Sequence, residues 1–332
     1  MNTETSPGKA SLALRRLAIL VVAVVALVVA GAFAARSVFS QKLDEALDRL
    51  AGRGIRVECA ERGLEGFPAR FEIVCPQGAS LVLSGLRLET SALRTATPLW
   101  DTDLILAGAD SGRLETPLIS ADLSTLRASL RRQGTRIGRL SVTSAGLTGT
   151  TPLAPVEAAS MEVHLLGREE APADMQLALR AGGLRTPALD RLGAMDLVVS
   201  GLARGLSAHL GGNLDAALAG WLRQGARLDE ALLLVRTGAV TMRAEGALAV
   251  DPADGLLSGE GTLAVTDIAA LLRSFGLDDE RLPAIAAGAA LAGRPGEVDG
   301  QPALVFEYRI ADGRLSVAGF QLFDIPPVQD WE

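Results

Sequence analysis

Beyond Ile55 the apolar positions of the chain recur at every second residue. The clearest run is Val240, Met242, Ala244, Gly246, Leu248 and Val250, with Thr241, Arg243 and Glu245 among the residues between them. Such a period marks strands with one face on apolar neighbours and the other in water. The turn Asp251 to Gly255 follows, and Leu257, Gly259, Gly261, Leu263 and Val265 repeat the alternation, which predicts a long antiparallel hairpin. Nearer the C-terminus Leu304, Phe306, Tyr308 and Ile310 alternate, Ala311-Asp312-Gly313 turns the chain, and Leu315 and Val317 resume. At Gly319 the phase slips, and Phe320 and Leu322 continue on the other parity. Gly85 marks a like slip between Leu81/Leu83 and Leu86/Leu88. A glycine at a slip predicts a β-bulge or bend.

Shorter alternating runs occur at Leu104/Leu106, Met161/Val163/Leu165, Met175/Leu177/Leu179 and Met195/Leu197/Val199. Helical spacing is rarer. In Thr266 to Gly276, Asp267 or Thr266 can cap a helix whose apolar side is Ile268, Leu271, Leu272 and Phe275. In Asn213 to Gly225 the buried stripe would be Leu214, Leu218, Trp221 and Leu222. Asp122 to Arg132 fits strand and helix equally. The fold class is therefore mainly β: extended antiparallel curved sheet with few amphipathic helices. Its second apolar face needs cover, either from a second sheet in a closed core or from a ligand in a groove. Alternation alone favours the closed core.

The N-terminal region has a different texture. Residues 1–16 are polar and basic, with Lys9, Arg15 and Arg16, and read as a cytoplasmic tail. Leu17 to Ala35 carries no charge and approaches the roughly 20 helical residues that cross a bilayer. It reads as a signal anchor; Ala32-Phe33-Ala34 keeps a cleaved signal peptide as the competing reading. Residues 36–54 carry Val38, Leu43, Ala46, Leu47 and Leu50 at helical spacing and predict a juxtamembrane stalk. Residues 55–332 would form the β-rich domain, with a possible subdivision near 210.

The chain has two cysteines, Cys59 and Cys75. Ile55, Val57 and Cys59 share one strand parity, and Phe71, Ile73 and Cys75 share another, with a reversing segment between them. The pair is placed to cross-link neighbouring strands; two buried free thiols are the alternative. Spacing excludes a CxxC redox site, and there is no second pair for zinc. With the anchor, a disulfide implies an oxidising, periplasm-like compartment.

The stretch "CAERGLEGFPARFEIVC" resembles the Cys…Gly-Phe/Tyr-Pro-x-Arg…Cys signature of the bacterial domain-of-unknown-function 2125 family, through Cys59, Gly66, Phe67, Pro68, Arg70 and Cys75. The C-terminal third shares that family's hairpin, capped helix, Asp-Gly turn and closing Pro pair. The resemblance implies one N-terminal membrane helix and a strand-rich periplasmic part, but no activity. In texture the chain is also similar to AsmA-like envelope proteins, whose long sheets form apolar grooves linked to lipid transport.

Composition narrows the chemistry. A net charge of −7 argues against a nucleic-acid partner, which needs a clustered basic surface. Neither histidine has a catalytic or metal-binding setting: His164 lies on the polar parity of a strand, and His209 is no better placed. Asp278-Asp279-Glu280 reads as a solvated loop. No nucleophile elbow, zinc-hydrolase or phosphate-loop motif is present. No cofactor, metal or catalytic residue is expected. Arg70 can pair with Glu58, Glu61 or Glu72, or meet a lipid phosphate. The expected role is non-enzymatic: a single-pass inner-membrane protein whose periplasmic sheet binds or passes lipid-like molecules. The alternative is a scaffold that docks on an envelope complex.

Overall fold

The computed structural model describes residues 38–328, apart from Phe39, Arg53, Phe67, Pro68, Ser84, 117–118, Thr135, 152–153, 210–213, Phe275 and 277–279. The strands are β1 (Arg56–Cys59), β2 (Gly63–Glu65), β3 (Arg70–Cys75), β4 (Ala79–Leu83), β5 (Leu86–Thr90), β6 (Leu93–Pro98) and β7 (Leu104–Glu115). Next come β8 (Ser120–Gln133), β9 (Arg136–Ser144), β10 (Gly146–Thr150), β11 (Pro155–Ala158), β12 (Ser160–Gly167), β13 (Met175–Leu184) and β14 (Met195–Arg204). The last are β15 (Arg227–Arg236), β16 (Thr241–Val250), β17 (Leu257–Val265), β18 (Arg294–Val298), β19 (Gln301–Ala311), β20 (Arg314–Val317) and β21 (Phe320–Asp324). A helix α1 over 40–51 precedes them. The helices α2 (Leu206–His209) and α3 (Leu214–Arg223) lie between β14 and β15, and α4 (Ile268–Ser274) and α5 (Leu282–Ala292) between β17 and β18.

All of these strands belong to one antiparallel sheet. Its trunk runs β7–β8–β9–β12–β13–β14–β15–β16–β17–β19, each strand paired with the next. It passes residue 210 without a break, because β14 pairs directly with β15 on either side of the α2–α3 excursion. β8, which contains the ambiguous Asp122 to Arg132 segment, gives its two halves to different partners: β10 along 120–124 and β9 along 127–133. The changeover is at Thr125, whose φ is +50°. That kink shifts the parity, so Ala121, Leu123 and Leu126 are all buried in one cluster. Ser144 secures the corner: its one hydroxyl proton has Gly146 O (2.6 Å) and Ser124 O (2.9 Å) within reach.

At β7 the sheet divides. One arm continues through β5 and β4 to β1, the other through β6 and β3 to β2. At the far end, β18 and β20 share the outer edge of β19, and β21 pairs with β20.

Several expectations change. Gly85 and Gly319 sit in chain reversals, since Leu83 pairs with Leu86 and Val317 with Phe320. Their positive φ values, +70° and +83°, suit the tight turns that join hairpin strands. Each parity slip thus records two strands rather than one bent strand. In α3, Leu218 is 41% exposed, so the buried stripe lies toward Trp221. The expected cap on α4 is present: Ala270 N–H donates to Asp267 Oδ1 at 2.8 Å. Helix α5 consists of apolar residues only, so it has no amphipathic period to read, and only Leu282 in it is buried.

The described strands form one sheet rather than two. The largest group of mutually packed buried side chains has five members: Ala121, Leu123, Leu126, Leu147 and Ala158. Among the described residues no helix is long and apolar enough to cross a membrane. The expected tail and anchor, 1–35, lie outside the described residues.

Candidate functional site

Residues directly opposed in an antiparallel ladder project to the same face of the sheet. One such row crosses the trunk from β7 to β19: Ala107, Ala128, Val142, Val163, Leu179, Val199, Leu233, Ala244, Leu263 and Phe306. Every member is apolar. At about 4.8 Å per strand the row extends about 43 Å, more than the ~30 Å hydrocarbon core of a bilayer. The reverse face is mixed: it carries charged residues, as at the opposed pair Glu162/Arg180 and the ion pair Arg243–Glu245, and buried apolar ones, Leu234 and Ala264, in the same row.

Helices cover the apolar face at two places, the strand ends of β13 and β14 and the β19 end of the row. At the first, Met175 and Ala203 are fully buried beneath Leu206 of α2 and Trp221 of α3. The cover is pinned electrostatically. Arg204 donates to Asp174 Oδ2 (2.7 Å) and to Asp229 Oδ2 (2.7 Å), and Gly205 N–H donates to Asp174 Oδ1 (3.0 Å). The indole N–H of Trp221 donates to Arg204 O at 2.6 Å. The Gly205 N–H and then Arg204 hold the Asp174 carboxyl below its usual range. Arg227 and then Arg204 do the same for Asp229. At the second place α5 closes against Phe306: a Cβ on Gly293, the residue that ends the helix, would come within 2.8 Å of the Phe306 ring. Val199 and Leu233 stay 37% and 43% exposed. The result, the trough, is an apolar sheet face that helices cover in part and that stays open at Val199 and Leu233.

The residues of the signature stretch lie away from the trough. Cys59 and Cys75 form a disulfide, with Cα atoms 5.7 Å apart. The bridged strands are not hydrogen-bonded neighbours: β1 pairs with β4, and β3 pairs with β2 and β6. The expected cross-link between adjacent strands is therefore a clasp between the two arms. The intervening segment holds a strand, β2, rather than a simple reversal. Gly66 has φ +85°, and a Cβ there would come within 3.0 Å of Arg70 Cγ and Glu72 Cγ. Arg70 pairs with Glu72, its neighbour on the same face of β3, rather than with Glu58 or Glu61. Phe67 and Pro68 lie outside the described residues. Nearby, Arg62 donates to Asp44 at 2.7 Å and ties α1 to the arms.

The remaining candidates stay apart. His164 is on the reverse face, 3.0 Å from Ser141 Oγ and 3.3 Å from Glu162 Oε2. His209 packs beside Gly220 of α3. Asp278 and Asp279 lie outside the described residues, and Glu280 is exposed. Among the described residues no group of three or more His, Cys, Asp and Glu side chains could hold a metal ion. A polar cleft of about 500 Å³ on the reverse face is lined by residues that include Arg168, Glu169, Glu170, Gln176 and Glu230. Sequence reasoning missed the open row because the alternation marks an apolar face without saying what covers it. Register supplies that information.

A family model described as an uncharacterized protein conserved in bacteria, DUF2125, matches residues 32–326. No curated protein and no solved structure matches the chain.

Proposed function

We propose that this chain, which belongs to the DUF2125 family of uncharacterised bacterial proteins, is an anchored envelope protein that binds or passes lipid-like molecules along its apolar sheet face. The observation that carries the reading is the Val199–Leu233 pair, apolar and open to solvent in the middle of a continuous apolar row. Two large apolar side chains that stand side by side and open to solvent on a continuous apolar row suit a binding site or an interface. A long trough without charged side chains suits acyl chains better than polar ligands. The uncharged segment Leu17 to Ala35 supports an inner-membrane anchor, and the Cys59–Cys75 disulfide supports a periplasmic site for the sheet. On this reading the role is binding rather than catalysis. Native mass spectrometry of the gently extracted full chain tests it: retained adducts of lipid mass support the proposal, and bare protein under every extraction condition sinks it.

A second reading rests on a different feature. The edge strand β21 exposes Phe320, Leu322 and Phe323, and its outer backbone edge has no partner among the described strands. Edge strands of this kind accept a strand from another protein. An accessory subunit docked through β21 would lose its cross-linked neighbours when Phe320 and Leu322 become Lys; unchanged cross-links would exclude this surface.

A further inference from the structure

Tyr308 is the one tyrosine of the chain, and it stands in the trough. It lies opposite Gly261 on β17, and Gly261 lies opposite Gly246 on β16. The side chain lies flat across both strands. A Cβ on Gly261 would come within 2.8 Å of Tyr308 Cε1, and one on Gly246 would collide with the hydroxyl. The phenol therefore ends over β16, two strands from its own, where Ala231 of β15 stands opposite Gly246 and Leu233 is the next residue along the same face. The glycines make room for this pose; a side chain at either position would lift the ring from the floor.

The surroundings give the hydroxyl its significance. Between β12 and β19, every other residue that shares this face is Gly, Ala, Pro, Val, Leu, Ile, Met or Phe. Among the described residues nothing hydrogen-bonds the Tyr308 oxygen. A half-buried hydroxyl without a protein partner is a group that a ligand can satisfy. Burial raises the phenol's pKa, so it stays protonated and can donate at neutral pH.

We infer that Tyr308 is the polar subsite of the trough, donating its hydroxyl proton to the carbonyl or carboxylate oxygen of a ligand whose acyl chain lies along the Leu233–Val199 row. This rests on the proposed lipid-binding role and narrows it to single-chain acyl compounds. A hydrocarbon or a sterol-like body gains nothing from the hydroxyl. The head is held by one neutral donor without a cationic partner on the face, so a free fatty acid and an acyl ester share the chemistry that is recognised.

The test uses the full chain in amphipol and three photo-probes with the same mid-chain diazirine: palmitic acid, its lysophosphatidylcholine ester and the matching hydrocarbon. Cross-linked peptides from β12 to β19 are quantified in wild type and Tyr308→Phe. The inference predicts that the substitution lowers labelling by the acid, the ester or both about tenfold, the scale of one hydrogen bond to a charged or strongly polar oxygen. Labelling by the hydrocarbon should stay within about twofold. Which carbonyl probe responds identifies the source of the acyl group. Equal labelling of wild type and variant by all three probes would overturn the inference, as would an equal drop with all three, which would make Tyr308 a packing residue. If no probe labels the sheet of the wild type, the lipid-binding role itself fails.

Discussion

Val199 and Leu233 stand directly opposite each other on β14 and β15, and 37% and 43% of their surfaces remain open to solvent. Two strands in the middle of a large sheet would ordinarily bury such a pair under a second layer. Here the layers that exist, α2–α3 and α4–α5, stop short of it. A long apolar row, covered at Phe306 and open at Val199 and Leu233, is the feature from which the functional reading follows.

The first prediction separates an open trough from a packed core. Leu233→Ala should cost only about 1 kcal/mol, because little packing is lost and solvent already reaches the site. Phe306→Ala, beneath the end of α5, should cost about 3–5 kcal/mol. Urea denaturation of both variants checks the contrast. Equal large losses would mean that the face is filled.

The clasp between the arms has its own signature. Cys59→Ser with Cys75→Ser should lower stability by roughly 3 kcal/mol, the chain-entropy value for a loop of this size. Thiol labelling of unreduced, denatured protein taken from cells should fail. Two labelled cysteines would show that the bridge does not form in its native compartment.

Gly66 is conformationally committed. Its φ of +85° belongs to the left-handed region, and a side chain there meets Arg70 and Glu72. Gly66→Ala should destabilise by about 1–2 kcal/mol from the backbone alone, and Gly66→Asn by less. Chemical denaturation of the two variants tests the order.

Acid should release the α2–α3 cover. Asp174 and Asp229 have folded pKa values below their unfolded ones, near 3.9, so their contribution is present above that value. It is lost as pH falls through the folded values, which places the change below about pH 4. Hydrogen exchange at α2 and α3 should quicken in that window. Arg204→Gln should quicken it at pH 7 and flatten the acid response. Exchange in the variant indistinguishable from wild type would remove Arg204 from this role.

Much of the architecture was legible in the sequence, because a half-buried strand writes its two faces as alternating residues. The β16–β17 hairpin and the Asp267 cap follow from side chains whose preferences act locally. The parity slips at Gly85 and Gly319 were visible, but a reversal and a bulge leave the same mark on parity. Helix α5 was not legible: Leu282 to Ala292 is apolar all round and carries no period. The trough was only half legible. Alternation shows that Val199 and Leu233 share an apolar face, yet their exposure depends on where the covering helices end. The position of Tyr308 over Gly261 and Gly246 depends on register across three strands, which no local pattern encodes. The disulfide was readable as a pair, though its bridging of two arms follows from the branching of the sheet at β7.

The most direct measurement compares lipid occupancy of the full chain with that of Val199→Asp/Leu233→Asp by native mass spectrometry. Two directly opposed carboxylates cost some stability through their repulsion, so the comparison is made on variant protein that keeps wild-type secondary structure, and they should make the trough hostile to an acyl chain. The account predicts lipid-mass adducts on the wild type and their loss from the variant at matched secondary structure. Adducts of equal mass and abundance on both proteins would show that lipid, where bound, does not occupy this face.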